Sequence, residues 1–184
     1  MRLILVTGGV RSGKSRYAAD LAARLGGDAV TFIATAAAGD TEMAERIARH
    51  RATRPAAWTT LEAERNAAAA LRAAATDVVL LDCLTLLASN IFLTAAAADG
   101  APAEHREALA RDAVEAEIRE LLDATRERDG TLIIVTNEIG LGVVPATELG
   151  RWFRDAMGEA NQRVAAAADE VVLLVSGLPL VLKA

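Results

Sequence analysis

The chain has 184 residues, 53% hydrophobic and 24% charged, with a formal net charge of −5, a balance that excludes a disordered chain and argues against a nucleic-acid partner. No run reaches the roughly 18 uncharged apolar residues that a membrane span requires, and no leader is expected ahead of the first strand. The single cysteine, Cys83, excludes an internal disulfide framework, so the expectation is one cytoplasmic domain, residues 1–184, without a membrane span.

Leu3 to Val6 is a short continuous apolar run and predicts a fully buried strand. Gly8-Gly9-Val10-Arg11-Ser12-Gly13-Lys14-Ser15 follows at once and fits the phosphate-loop pattern G-x-x-x-x-G-K-S/T. Glycines let successive backbone N–H groups turn inward around phosphate oxygens. Lys14 is then placed to reach the β- and γ-phosphates, and the Ser15 hydroxyl to hold Mg2+. Arg16 to Leu25 predicts a helix whose positive N-terminal end faces the same anion. Strand, loop and helix arrive in the order a nucleoside triphosphate site needs.

Ala29 to Ala34 predicts a second strand, followed by Thr35 and a small-residue loop. Asp40 or Thr41 can cap a helix that carries Met43, Ile47 and His50 on one face and ends at Pro55. Arg46, Arg49, Arg51 and Arg54 crowd around His50. Trp58 to Leu61 is expected to be extended and to lead to Glu62, and Glu64 to Ala75 to be helical. Asp77 to Asp82 predicts a buried strand ending in an acid, the place where phosphate-loop enzymes support magnesium.

Leu84 to Leu93 predicts a helix, and Thr94 to Glu107, with its Gly, Pro and repeated Ala, a loop or mobile insertion in which His105 is solvated. Ala108 to Arg128 carries Val114, Ile118, Leu121, Leu122 and Thr125 on one stripe and predicts a long amphipathic helix. Thr131 to Val135 is a further buried strand, ending in the polar Thr136-Asn137-Glu138 where open α/β sheets place ligands. Leu149 to Ala168 predicts a helix and Glu170 to Val175 a strand. Ser176-Gly177 then turns into a last strand whose Pro179 suits a sheet edge. Alternating strands and helices imply an α/β fold with a mostly parallel sheet.

Phosphate loops serve kinases, nucleotidyl transferases, motor ATPases and GTP switches, so the loop does not name a reaction. Asn137-Glu138-Ile139-Gly140 does not match the Asn-Lys-x-Asp sequence by which GTP switches read guanine. The small acidic chain fits a motor acting on nucleic acid poorly, which leaves a small-molecule transferase in front. His50 has two readings. One is a core histidine satisfied by a single hydrogen bond. The other is a nucleophile whose imidazole the neighbouring arginines keep neutral, able to attack phosphorus and form a phosphoramidate.

Several pieces together carry a resemblance: TGGVRSGKSRYA at 7–18, FIATA at 32–36, EMAERIARHRATRPAAWTTLE at 42–62, VTNEIGLGVVP at 135–145, and the run from Arg151 to Pro179. The chain resembles the bifunctional adenosylcobinamide kinase / adenosylcobinamide-phosphate guanylyltransferase family of cobalamin biosynthesis. The resemblance implies a phosphate-loop NTPase fold with a RecA-like sheet, a C-terminal edge hairpin and a homotrimer. It implies a kinase step from ATP or GTP onto adenosylcobinamide. A second step then moves GMP from GTP onto adenosylcobinamide phosphate, through a histidine carrying GMP that matches His50. It also implies that Gly8, Gly9, Val10, Arg11, Ser12, Gly13, Lys14 and Ser15 hold the triphosphate, with Lys14 catalytic. Thr35, Arg51, Arg54, Glu62 and Asp82 match positions lining the nucleotide site. Asp82 joins Ser15 on Mg2+ or, like Glu62, reads guanine. The rivals are a guanylyltransferase-only member, a plain phosphate-loop small-molecule kinase and a non-catalytic GTP-binding regulator; the intact Lys14 and Ser15 argue against loss of the kinase step.

Overall fold

The computed structural model describes residues 1–37, 45, 48, 51, 54–97 and 102–184. Seven strands form one sheet: β1 (Arg2–Gly8), β2 (Val30–Ala34), β3 (Thr59–Glu62), β4 (Val78–Asp82), β5 (Thr131–Val135), β6 (Glu170–Val175) and β7 (Leu178–Lys183). Their spatial order is β3-β2-β4-β5-β1-β6-β7. Every pairing is parallel except β6 with β7, which is antiparallel and places Pro179 on the edge strand. The helices are α1 (Lys14–Gly26), α2 (Ala67–Ala73), α3 (Leu84–Ala96), α4 (Ala103–Arg126) and α5 (Glu148–Ala167). Among the described residues, no helix is long and apolar enough to cross a membrane.

The inner strands are rich in apolar residues because helices cover both faces. Side chains alternate across the pleat, so β1, β2, β4, β5 and β6 each supply two cores, whereas the edge strand β7 is exposed along its length. Leu3, Leu5, Ile33, Val79, Leu81, Leu132 and Ile134 point to one face, where they meet Leu71 of α2, Phe92 of α3, Leu121 of α4 and Met157 of α5. Ile4, Val6, Phe32, Leu80, Ile133 and Val135 point to the other, which α1 covers with Ala18 and Ala22, joined by Trp58. Small alanines let α1 settle close to the sheet, directly behind the loop that precedes it.

Three helices depart clearly from the lengths expected from sequence. The stretch 64–75 narrows to α2 because its first turn is capped from α4: the Glu117 carboxylate accepts from Asn66 N–H at 3.2 Å and Ala67 N–H at 2.7 Å. Arg128 closes the other end by donating to the carbonyls of Leu71, Ala74 and Thr76. The loop expected over 94–107 is a correction. α3 runs on to Ala96, with Thr94 donating to the Asn90 carbonyl at 2.9 Å, and α4 begins at Ala103 straight after Pro102. Alanine favours helix strongly, and a proline at a helix start removes only an N–H that would have no partner there. His105 is exposed, in the first turn of α4.

Phe92 is fully buried and meets Phe153 edge-on with ring centroids 5.4 Å apart. Phe92→Ala is expected to lower the unfolding free energy by about 3–5 kcal/mol, measured as a fall in the urea midpoint at unchanged slope.

Candidate nucleotide site

Among the described residues, those that the sequence singles out lie at or near the carboxyl ends of β1, β2, β3 and β4, which all point the same way in the parallel sheet. β1 ends at Gly8, which pairs in register with Leu174 of β6. The strands come so close there that a Cβ on Gly8 would lie 2.5 Å from the Leu174 carbonyl oxygen. Gly9 and Val10 follow at the surface, Val10 being 78% exposed, and Arg11 takes a left-handed φ of 60°. Gly13, at φ 96°, turns the chain into α1. The loop is braced internally by Ser12 N–H donating to the Gly9 carbonyl at 3.3 Å. From outside, Gly177 N–H in the β6–β7 turn donates to the Ser12 carbonyl at 2.9 Å. Ser15 lies half-buried in the first turn of α1.

Lys14 is buried, and its ammonium donates to the Gly9 carbonyl at 2.7 Å, folding back over the loop it follows. Burial pulls its pKa below the usual lysine value, while the carboxylates of Asp82 and Glu138 act in the opposite sense. A desolvated ammonium among carboxylates at the mouth of a glycine loop is poised to exchange a carbonyl for a phosphate oxygen.

Asp82 ends β4, in register with Ala34 of β2 and Val135 of β5. Its charge also bears on Arg54, whose guanidinium lies 3.5 Å from the centroid of the Phe32 ring. Burial lowers the Arg54 pKa, and Asp82 supports the charged form. Glu62 ends β3 and pairs with Arg51 at 3.6 Å, both side chains largely exposed. Thr35 is fully buried, and its hydroxyl is engaged twice with the neighbouring strand end: it donates to the Cys83 carbonyl at 2.7 Å and accepts from Cys83 N–H at 2.8 Å. That hydroxyl therefore splices β2 to β4 beneath the site. His50, with Met43, Arg46, Ile47 and Arg49, lies outside the described residues.

A polar network at the end of β5 was not singled out residue by residue in the sequence. Thr7 donates to Glu138 Oε1 at 2.5 Å, Thr136 donates to Asn161 Oδ1 at 2.7 Å, and Asn161 Nδ2 donates to the Asn137 carbonyl at 3.0 Å. Asn137 N–H donates to the Thr85 hydroxyl at 2.9 Å. The signal was present in two places: three polar residues closing an apolar strand, and an asparagine on the apolar stripe of α5.

A parallel sheet with a glycine loop between its first strand and first helix defines a phosphate-loop nucleotide-binding protein. The fold is similar to a solved type III secretion ATPase of pathogenic bacteria, with a TM-score of 0.57 and 13% identity over 94% of this chain and 51% of that one, about half its length. The family model described as cobinamide kinase / cobinamide phosphate guanyltransferase matches residues 4–182, and the chain belongs to that family. It is 44% identical to the bifunctional adenosylcobalamin biosynthesis protein CobU of Salmonella typhimurium, over 98% of this chain and 99% of that protein. It is 46% identical to the corresponding CobP of Pseudomonas aeruginosa, over 97% of this chain and 96% of that protein.

Three outcomes are expected at this strand end. Thr35→Val leaves the Cys83 N–H without its partner, while the Cys83 carbonyl keeps the Leu87 N–H, and should cost about 1–3 kcal/mol in unfolding experiments. Burial pushes the Cys83 thiol up to about 11. It should therefore resist a thiol reagent at pH 8 in the folded protein and react at once in denaturant. Because the folded thiol keeps its proton where the unfolded one has lost it, the contribution of this group to stability should fall as pH rises from about 9 toward 11.

Proposed function

We propose that this chain carries out both transfers named by its family. It phosphorylates the aminopropanol hydroxyl of adenosylcobinamide with ATP or GTP. It then moves GMP from GTP onto the resulting phosphate, giving adenosylcobinamide-GDP and pyrophosphate. The observation that carries the reading is the family match across residues 4–182, which takes in the phosphate loop, Asp82 and the His50 segment.

In this reading the backbone N–H groups from Gly8 to Ser15 and the α1 N-terminus hold the triphosphate, as helix N-termini hold anions generally. Lys14, already desolvated, places its charge on the β- and γ-phosphates and offsets the negative charge that builds up on transfer. The Ser15 hydroxyl and Asp82 carboxylate are hard oxygen donors of the kind Mg2+ selects, and Mg2+ there would neutralise phosphate charge. Asp82 also sits within the electrostatic reach of Lys14 and Arg54, as a group at the phosphates must. Arg51, Arg54 and Glu62 border the nucleotide, with Glu62 able to accept from guanine N1–H and N2–H2. The Thr35 hydroxyl acts from beneath, by fixing the β4 end.

The second transfer runs through His50. The imidazole nitrogen attacks the α-phosphorus of GTP, the bond to the β-phosphate oxygen breaks, and pyrophosphate leaves. The phosphate of adenosylcobinamide phosphate then attacks the same phosphorus and releases the histidine. The protein works in the cytoplasm as a homotrimer, which gives so large a corrinoid more surface than one subunit offers.

Purified protein given Mg2+ and GTP radiolabelled at the α-phosphate is expected to acquire an acid-labile, alkali-stable label that His50→Ala abolishes. GTP binding without any label in the wild type would overturn the guanylyl-transfer mechanism. A labelled wild type that does not phosphorylate adenosylcobinamide would leave a guanylyltransferase alone.

A further inference from the structure

We propose that Glu138 is the general base of the kinase step, an inference that rests on the functional reading above. Glu138 lies three residues past the end of β5, the neighbour of β1 in the sheet. Its N–H donates to the Gly8 carbonyl at 3.1 Å, which anchors the residue to the first glycine of the phosphate loop. Among the described residues, the carboxylate is held through Oε1. Oε1 accepts from the Thr7 hydroxyl at 2.5 Å and from Asn161 Nδ2 at 3.4 Å. Thr136, by donating to Asn161 Oδ1, fixes which way that amide faces. Oε2 accepts no hydrogen bond among the described residues.

This arrangement orients a carboxylate while keeping one basic oxygen available, a combination that packing alone does not need. The side chain is half-buried, so the free oxygen is not sealed from a substrate. Its backbone sits on the Gly8 carbonyl at the start of the loop, and its negative charge favours the charged form of Lys14. The other carboxylate there, Asp82, lies two strands from β1, beyond β5.

Phosphoryl transfer to an alcohol needs a group that accepts the hydroxyl proton as the oxygen attacks. The acceptor hydroxyl gives its proton to Glu138 Oε2 while its oxygen forms the bond to the γ-phosphorus. The bond from that phosphorus to the β-phosphate oxygen breaks, and its electron pair leaves with the nucleoside diphosphate. The proton passes from the half-exposed carboxyl to solvent before the next turnover.

The test is Glu138→Gln, whose amide oxygen still accepts from Thr7 and Asn161 and whose amide nitrogen cannot take a proton. Cobinamide phosphorylation by the wild type must be measured first; ATP binding without phosphorylation would defeat the functional reading itself. With the wild type active, the variant is expected to lose about 10²–10⁴-fold in kinase kcat, with nucleotide Kd changed by less than about threefold. Thermal unfolding should be unchanged, and self-labelling from GTP, which needs no such proton transfer, should persist. A kinase kcat within about threefold of wild type would overturn the assignment. So would a nucleotide affinity that falls by the same factor as kcat, because Glu138 would then be supporting the loop. Glu138→Asp, which keeps a base but withdraws it by one methylene, is expected to recover part of the lost rate.

Discussion

At the end of β1 two backbones meet with no room between them. The carbonyl of Leu174 occupies the space in which any side chain on Gly8 would begin, and the phosphate loop starts from that contact. Because β1 is clamped between β5 and β6, the loop leaves the sheet at a fixed point and direction. The β6–β7 turn then reaches over and holds the Ser12 carbonyl through Gly177 N–H. The loop is thereby held from outside through the Ser12 carbonyl and from inside through the Ser12 N–H. The C-terminal hairpin, which would otherwise be a decoration on the sheet edge, is thus part of the loop's support.

The unequal covering of the sheet serves the same end. Among the described residues, four helices pack on one face and supply most of the large buried side chains there, with the Phe92–Phe153 ring contact among them. The other face carries α1, whose alanines allow a close approach. The helix bearing Lys14 and Ser15 is therefore held by backbone proximity, and the deep core opposite supplies stability. α4 contributes to both ends of α2 through Glu117 and Arg128, so a short alanine-rich helix that would be marginal alone is fixed by its neighbour.

Charge is distributed around the loop in a graded way. Lys14 is desolvated and answers to Asp82 and Glu138. Arg54 lies over Phe32 and answers to Asp82. Arg51 and Glu62 pair at the exposed margin, where solvent screening makes the pair weak. The most strongly held charges are those nearest the loop, and the weakly held ones lie at the surface. Hydrogen-bond networks beneath, from Thr35 to Cys83 and from Thr7 through Glu138 to Asn161, keep the strand ends in register under that load.

The strands and the loop were legible in the sequence because each rests on a local regularity: an apolar run of fixed length, or glycines, lysine and serine at fixed spacing. The same holds for the edge position of β7, which Pro179 signals by lacking an N–H. The segment 94–107 misled because glycine, proline and low complexity suggest a loop, whereas alanine propensity and packing carry α3 to Ala96 and restart helix at Ala103. The shortening of α2 could not be read locally, since its caps come from Glu117 and Arg128, some fifty residues further along. The sequence by itself determined the fold class, the phosphate loop and the family pattern, all of which depend on neighbours along the chain. Only the tertiary structure decided that the Thr35 hydroxyl serves Cys83, that Gly177 braces Ser12, and that, among the described residues, Glu138 is held through Oε1 by Thr7 and Asn161. Those facts depend on which strand lies next to which, and on where each remote backbone group ends up.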